Sequence, residues 1–362
     1  MSAPGLLLLT PNLDNNSLGR TYCLWLLARH LGYEVRIASV KGERVWPPLA
    51  GSPLADVCHR VRPVDRDGRP DDAVVDLARS SDLLVAVKPV ENSFGLGREL
   101  ARVTGRPLLL DVDDPDIEVR TVWRPWYERL PRRVLQPRYR RLLALRRHAL
   151  TTPVLVSNPV LQRMYGGTLV PHVRPATTWS EPPATDSPVV RFVGSARGHK
   201  GVDVLREAVG RLAGRGFRLE VTADAPPDAA GWERWLGTTS FEEGQRLVAT
   251  ADVVAVPSRA GGWSPAQLPA KLVDAMMAGV PVVASDVGPI GWALDGAGRL
   301  VPPGDVDALT AALASLGEHA ERVRLGRAGH ARATSTFSVE AVAPAFEAEV
   351  LAVVDGAPRV AS

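Results

Sequence analysis

The sequence predicts an α/β protein made of two Rossmann-like halves, and three observations carry that expectation. Short apolar runs of strand length alternate with longer helical patterns along the chain, the signature of parallel strands joined by crossover helices. The alternation breaks once, at WSEPPATDSP over residues 179–188, where three prolines among small polar residues read as a linker. The 362 residues exceed one ordinary core and suit two domains of about 150 to 200 residues each.

In chain order, the first half opens with a strand at 6–10, a loop at 11–20, a helix at 21–31 and a strand at 34–39, which is one βαβ unit. Further strands are expected at 82–87, 107–112 and 152–156, with 169–171 leading out of a domain over 1–178. The run Leu6 to Leu9 is too short, and lacks the basic flank, for export or spanning. After the linker a second series begins, with strands at 189–193, 218–222, 253–256 and 280–284 and helices at 202–214 and 270–278. It defines a second domain over 189–337, and a last helical stretch falls within 338–362.

Composition narrows the class. A hydrophobic share of 45% against 23% charged residues excludes a disordered or fibrous chain. Cys23 and Cys58 have neither metal-ligand spacing nor a partner cluster, which fits a reducing cytoplasm. The formal charge of +3 hides an asymmetry: residues 1–180 carry 26 basic and 18 acidic side chains, residues 181–362 carry 17 and 22. Ten arginines fall within 120–147, interleaved with Trp123, Trp126, Tyr127 and Tyr139 and opposed there only by Glu128. Such a segment suits an anionic acceptor or peripheral contact with a membrane, or else forms helices with solvated basic faces. No nucleic-acid partner is expected.

In open α/β sheets ligands bind outside the carboxyl ends of the strands, and two such halves leave a cleft as the expected site. The loop GSARGHKG, residues 194–201, ends at a helix start, where free N–H groups favour an anion and Arg197 and Lys200 add charge. A P-loop is excluded, because His199 precedes Lys200 and Gly201 follows it. A dinucleotide fingerprint is excluded too, since Gly95 and Gly97 lack the third glycine. The second loop, PSRAGGWSPAQLPAK over 257–271, places Leu268 and the N–H groups of Ala270 and Lys271 at another helix start. Asp274, one turn on, is placed to accept hydrogen bonds from ribose hydroxyls, or is a plain N-terminal-turn acid. Only four lysines occur in the chain, and Lys200 and Lys271 both fall in these loops. A nucleoside diphosphate is the expected guest.

The ordered motifs FVGSARGHKGVDVL, ADVVAVPSR, LPAKLVDAMMAGVPVVASDVGP and GRLVPPGD resemble the donor domain of retaining GT-B glycosyltransferases, family 4, over residues 189–310. The N-terminal half resembles it more loosely, through GYEVRIAS and through LVSNPVLQRMYG followed by LVPHV. The resemblance implies two Rossmann-like domains facing across a cleft, with a nucleotide-sugar donor (UDP or GDP) in the C-terminal domain and the acceptor in the N-terminal one. It also implies transfer with retention, no cofactor or metal, and a final helix crossing back onto the first domain. Lys200 matches the family's diphosphate lysine; Ser195 stands where its arginine would be, so Arg197 is expected to substitute. Asp274 matches the second of two glutamates seven residues apart, whereas Ala266, beside Gln267, stands at the first. The loop NNSLGR, with Gly19 allowing close backbone approach, is expected to contribute from the first domain.

DVDDPD follows the strand at 107–112, where the family places a histidine facing the donor sugar; Asp111, Asp113 or Asp114 is expected there, with Asp113 and Lys200 as the catalytic pair. The same DVD also reads as the metal triplet of manganese-dependent transferases, an alternative that would use Asp111 and Asp113. Because Ser195 and Ala266 remove two family features, an inactive nucleotide-sugar-binding relative is a further alternative.

Overall fold

The computed structural model describes residues 4–62, 70–194 and 196–356, and these form two compact units. One runs to Val173 and resumes at Val342; the other is Arg174–Ala341.

The first unit contains the strands β1 (Gly5–Leu9), β2 (Glu34–Ser39), β3 (Cys58–Arg60), β4 (Leu83–Val87), β5 (Leu108–Val112), β6 (Val154–Val156) and β7 (Thr168–Leu169). They pair in parallel in the order β3-β2-β1-β4-β5-β6-β7. The connecting helices are α1 (Leu18–His30), α2 (Asp72–Arg79), α3 (Leu96–Thr104), α4 (Trp126–Leu135), α5 (Pro137–Ala149) and α6 (Pro159–Tyr165). Central strands such as LLVAV of β4 are buried at every residue, which is why they read as unbroken apolar runs. Helix starts follow local chemistry: Asp71 caps α2, and Asn158 accepts from two amides of α6 ahead of Pro159.

The second unit contains β8 (Val189–Phe192), β9 (Arg218–Val221), β10 (Glu233–Trp235), β11 (Val253–Val256), β12 (Val282–Ser285) and β13 (Arg299–Val301), parallel in the order β10-β9-β8-β11-β12-β13. Its helices are α7 (Val202–Gly210), α8 (Phe241–Ala249), α9 (Ala270–Met277), α10 (Ile290–Leu294), α11 (Val306–Ser315) and α12 (His319–Phe337). Strand alternation divides its core: Val253 and Ala255 pack in one layer, Val254 and Val256 in the other. Residues 179–188 lie within this unit; the Arg327 guanidinium stacks over Trp179, and Arg322 donates to the Thr185 carbonyl at 3.0 Å. The last helix, α13 (Val339–Gly356), belongs to the first unit from Val342 on, where Glu349 accepts from Thr168 at 2.6 Å.

Two parallel α/β units are what the alternating pattern predicted. The short strands β3, β10 and β13 were not anticipated, and the helix expected at 202–214 ends at Gly210, with a separate turn at Ala213–Arg215. α1 begins at Leu18, so Gly19 is a helical residue and not the expected loop glycine; a Cβ there would lie 3.9 Å from the Trp46 ring. Among the described residues no helix is long and apolar enough to cross a membrane.

Candidate functional site

In each sheet the strand order reverses beside its first strand, between β1 and β4 and between β8 and β11. Loops leaving the carboxyl ends of those strands are therefore the places where a ligand meets backbone amides.

In the second unit both loops are cationic. Residues 198–200 form a single helical turn ahead of α7, and Gly201 turns the chain with φ +69°. A Cβ at Gly201 would collide with the Pro257 carbonyl, so only glycine lets the two loops approach here. The loops are tied together: the Arg259 amide donates to the His199 carbonyl at 2.9 Å, and Lys200 Nζ donates to Gln267 Oε1 at 2.9 Å. Lys271 reaches back to the first loop, its Nζ 3.5 Å from the Phe192 ring centroid and 3.2 Å from where a Cβ on Gly194 would stand. Neither α7 nor α9 has a side-chain cap, so their first-turn amides are open to an anion. Exposed Arg197 lines a cavity of about 350 Å³ with Ala196, Gly198, Val202, Asp203 and Arg259.

Electrostatics mark this cluster. Burial, reinforced by Lys200, pulls Lys271 well below the usual lysine range. Burial and the charges of Lys200, Arg197 and Lys271 likewise depress His199. Among the described residues, neither Arg197 nor Lys271 forms an ion pair. Such a group suits a multivalent anion, whose charge would favour the protonated form of Lys271.

Of the other residues expected here, Ser195 lies outside the described residues. Ala270 begins α9, and the Leu268 side chain is buried in the core, which leaves only its backbone for a ligand. Ala266 is buried, and Gln267 beside it supplies the polar contact. Asp274 is held by Arg174, Nε to Oδ1 2.5 Å, with both side chains largely buried. The sequence reading missed Arg174, 100 residues away, and Gln267; only their neighbourhood to Asp274 and Lys200 marks them.

The first unit presents the opposite arrangement. Lys88 directly follows β4 in a left-handed conformation, φ +68°, held by its N–H donating to the Asp111 carbonyl at 2.8 Å and by Ser93 Oγ donating to the Lys88 carbonyl at 2.8 Å. Its ammonium lies 2.7 Å from Asp113, 2.7 Å from Asp114 and 3.2 Å from Asp116. Burial works against the Lys88 charge, but these carboxylates outweigh it and hold the group well above the ordinary lysine value. Burial pushes Asp113 up to about 7 although Lys88 opposes it.

Asp111 is elsewhere. Its fully buried carboxylate meets the buried Arg20 guanidinium at 2.6 Å, and Arg20 also donates to the carbonyls of Val170 and Pro171 at 2.7 and 2.9 Å. The reading of Asp111 and Asp113 as a metal pair is therefore corrected: Asp111 ends the strand inside an arginine pair, and the carboxylates that converge are Asp113, Asp114 and Asp116, with their ligand atoms within 4.8 Å of one another. Lys88, which the sequence reading passed over, is at their centre.

The fold and these loops define the class: two parallel-sheet α/β domains of the GT-B glycosyltransferase architecture. Residues 187–319 match the sequence model of the family described as Glycosyl transferases group 1. The chain is 37% identical over 160 residues to the MMP alpha-(1->4)-mannosyltransferase of Mycolicibacterium hassiacum, an alignment spanning 40% of this chain and 38% of that protein. Over nearly its whole length the fold is similar to that of sucrose-phosphate synthase from Thermosynechococcus elongatus (TM-score 0.68, 17% identity, 98% of this chain and 100% of that one). It is likewise similar to Anabaena Alr3699/HepE solved with UDP and glucose (TM-score 0.70, 17% identity, 97% and 99%).

Proposed function

We propose that the chain is a retaining glycosyltransferase that takes a sugar from a UDP or GDP donor held by the second unit and passes it to an acceptor hydroxyl bound by the first. The observation that carries this reading is the convergence of Arg197, His199, Lys200 and Lys271 at two uncapped helix starts, with Lys271 depressed by burial and by its cationic neighbour. That arrangement suits a diphosphate, and it stabilises the charge that builds on the leaving group as the glycosidic bond breaks. The cations supply what a divalent metal supplies in other transferases, so the transfer is proposed to run without one. Asp274, oriented by Arg174, accepts from the ribose hydroxyls.

In this scheme the acceptor hydroxyl attacks on the face the diphosphate leaves, and a phosphate oxygen takes its proton. Asp113, pushed up to about 7, accepts a hydrogen bond from a neighbouring hydroxyl of the acceptor and so orients the attacking one. Group 1 transferases and the mannosyltransferase relative support sugar transfer, and the UDP complex of a protein with the same fold supports the donor class. Cys23 and Cys58, which form no disulfide among the described residues, suit a cytoplasmic setting. The test is nucleoside diphosphate release from a panel of nucleotide sugars with chelator present, with the anomeric configuration of the product read by NMR. Binding without turnover would make the chain an inactive relative, and turnover only with manganese would overturn the metal-free scheme.

A further inference from the structure

Helix α4, WYERLPRRVL, is amphipathic the wrong way round for a soluble surface. At helical spacing Trp126, Tyr127, Leu130 and Val134 share one side, with Glu128, Arg129 and Arg132 opposite. The apolar side faces solvent: Trp126 is 70% exposed, Tyr127 61%, Leu130 63% and Val134 67%, and no residue of the helix is buried. Its charged side is the half-buried one, where Arg124 and Arg132 both bind Glu128 and Arg129 reaches the Val122 carbonyl. An isolated exposed apolar residue needs no explanation, whereas a whole helix face of them does.

Helix α5 packs beside it and supplies charge. Exposed Arg138, Arg140, Arg141 and Arg147, with Arg133 of α4, form no ion pair among the described residues. Like charge on this scale opposes a second copy of the same surface. Aromatic and aliphatic side chains flanked by unpaired arginines fit the boundary between anionic headgroups and acyl chains. We propose that α4 lies in the surface of an anionic membrane, with Trp126, Leu130 and Val134 entering the acyl region and the α5 arginines on the headgroups.

The whole chain is co-sedimented with phosphatidylcholine vesicles that contain or lack phosphatidylglycerol. Binding is expected only to the anionic vesicles, weakened by salt and reduced on the order of a hundredfold by Arg138→Ser, Arg140→Ser and Arg141→Ser together. Leu130→Glu with Val134→Glu, at exposed positions that leave the core untouched, should abolish binding with an unchanged circular dichroism spectrum. Trp123→Phe with Trp126→Phe should keep binding but lose most quenching by acyl-brominated lipid. Failure to bind anionic vesicles at low salt, or binding that survives the double glutamate variant, overturns the proposal. Affinity for polyglutamate without affinity for vesicles, or self-association lost in that variant, would assign the face to an acidic macromolecule or a second copy instead.

Discussion

Each unit brings a lysine ammonium close to the reversal of strand order, Lys88 directly after β4 and Lys271 reaching back from α9 to the end of β8, and surrounds it oppositely. Lys88 sits among Asp113, Asp114 and Asp116 and its proton is held tightly. Lys271 has an aromatic ring and another lysine for neighbours, and its proton is held loosely. Carboxylates surround the ammonium in one place, and another cation neighbours it in the other. A lysine beside a central strand thus says little until its counter-charges are counted: the first arrangement suits hydrogen bonds from hydroxyls, the second suits an anion.

The largest effect expected from breaking this contrast is at Lys200. Lys200→Ala should lower kcat/KM by on the order of 10² to 10³, the typical loss when one donor to a developing negative charge is removed; a change under tenfold would remove Lys200 from the chemistry. Next is Asp113→Asn, expected to cost roughly 100-fold in kcat with little change in KM. Wild-type activity should rise as pH climbs through about 7, where Asp113 ionises, and the variant should lose that limb. Stability moves the other way. With its folded value raised from 3.8 to about 7, the protonated carboxyl favours the fold, and the contribution disappears as pH rises across that window. Asp113→Asn should therefore flatten the melting temperature over the same window.

The smallest effect has the most telling sign. Lys271→Met removes a half-buried amine whose charging burial opposes and should raise the melting temperature, roughly 2 to 4 °C for each kcal/mol gained, while turnover falls. A lowered melting temperature would mean that Lys271 is a structural residue.

How much of this was legible in sequence follows from which interactions are local. The central strands could be read because both faces are buried, so that LLVAV and VVAV carry no polar interruption. Strands such as Cys58–Arg60 and Glu233–Trp235 are three residues long and partly exposed, and CHR and ERW have no apolar signature. Lys200 and Lys271 stood out because lysine is scarce, and the same scarcity should have drawn notice to Lys88. What sequence could not show was the sorting of DVDDPD. Asp111 is claimed by Arg20 of α1, 91 residues away, and Asp113 by Lys88, which the pairing of β4 with β5 sets beside it; both meetings are tertiary. The Arg174–Asp274 pair is hidden for the same reason.

The central claim is that a diphosphate completes the cation cluster of the second unit. Calorimetric titration of UDP and GDP into the chain, in two buffers of different ionisation enthalpy, tests it most directly. The account predicts binding with proton uptake, because the incoming anion raises the depressed Lys271; the uptake should vanish in Lys271→Met, and Lys200→Ala should weaken the affinity at least tenfold. Equal affinity in all three proteins, with no proton taken up, would contradict it.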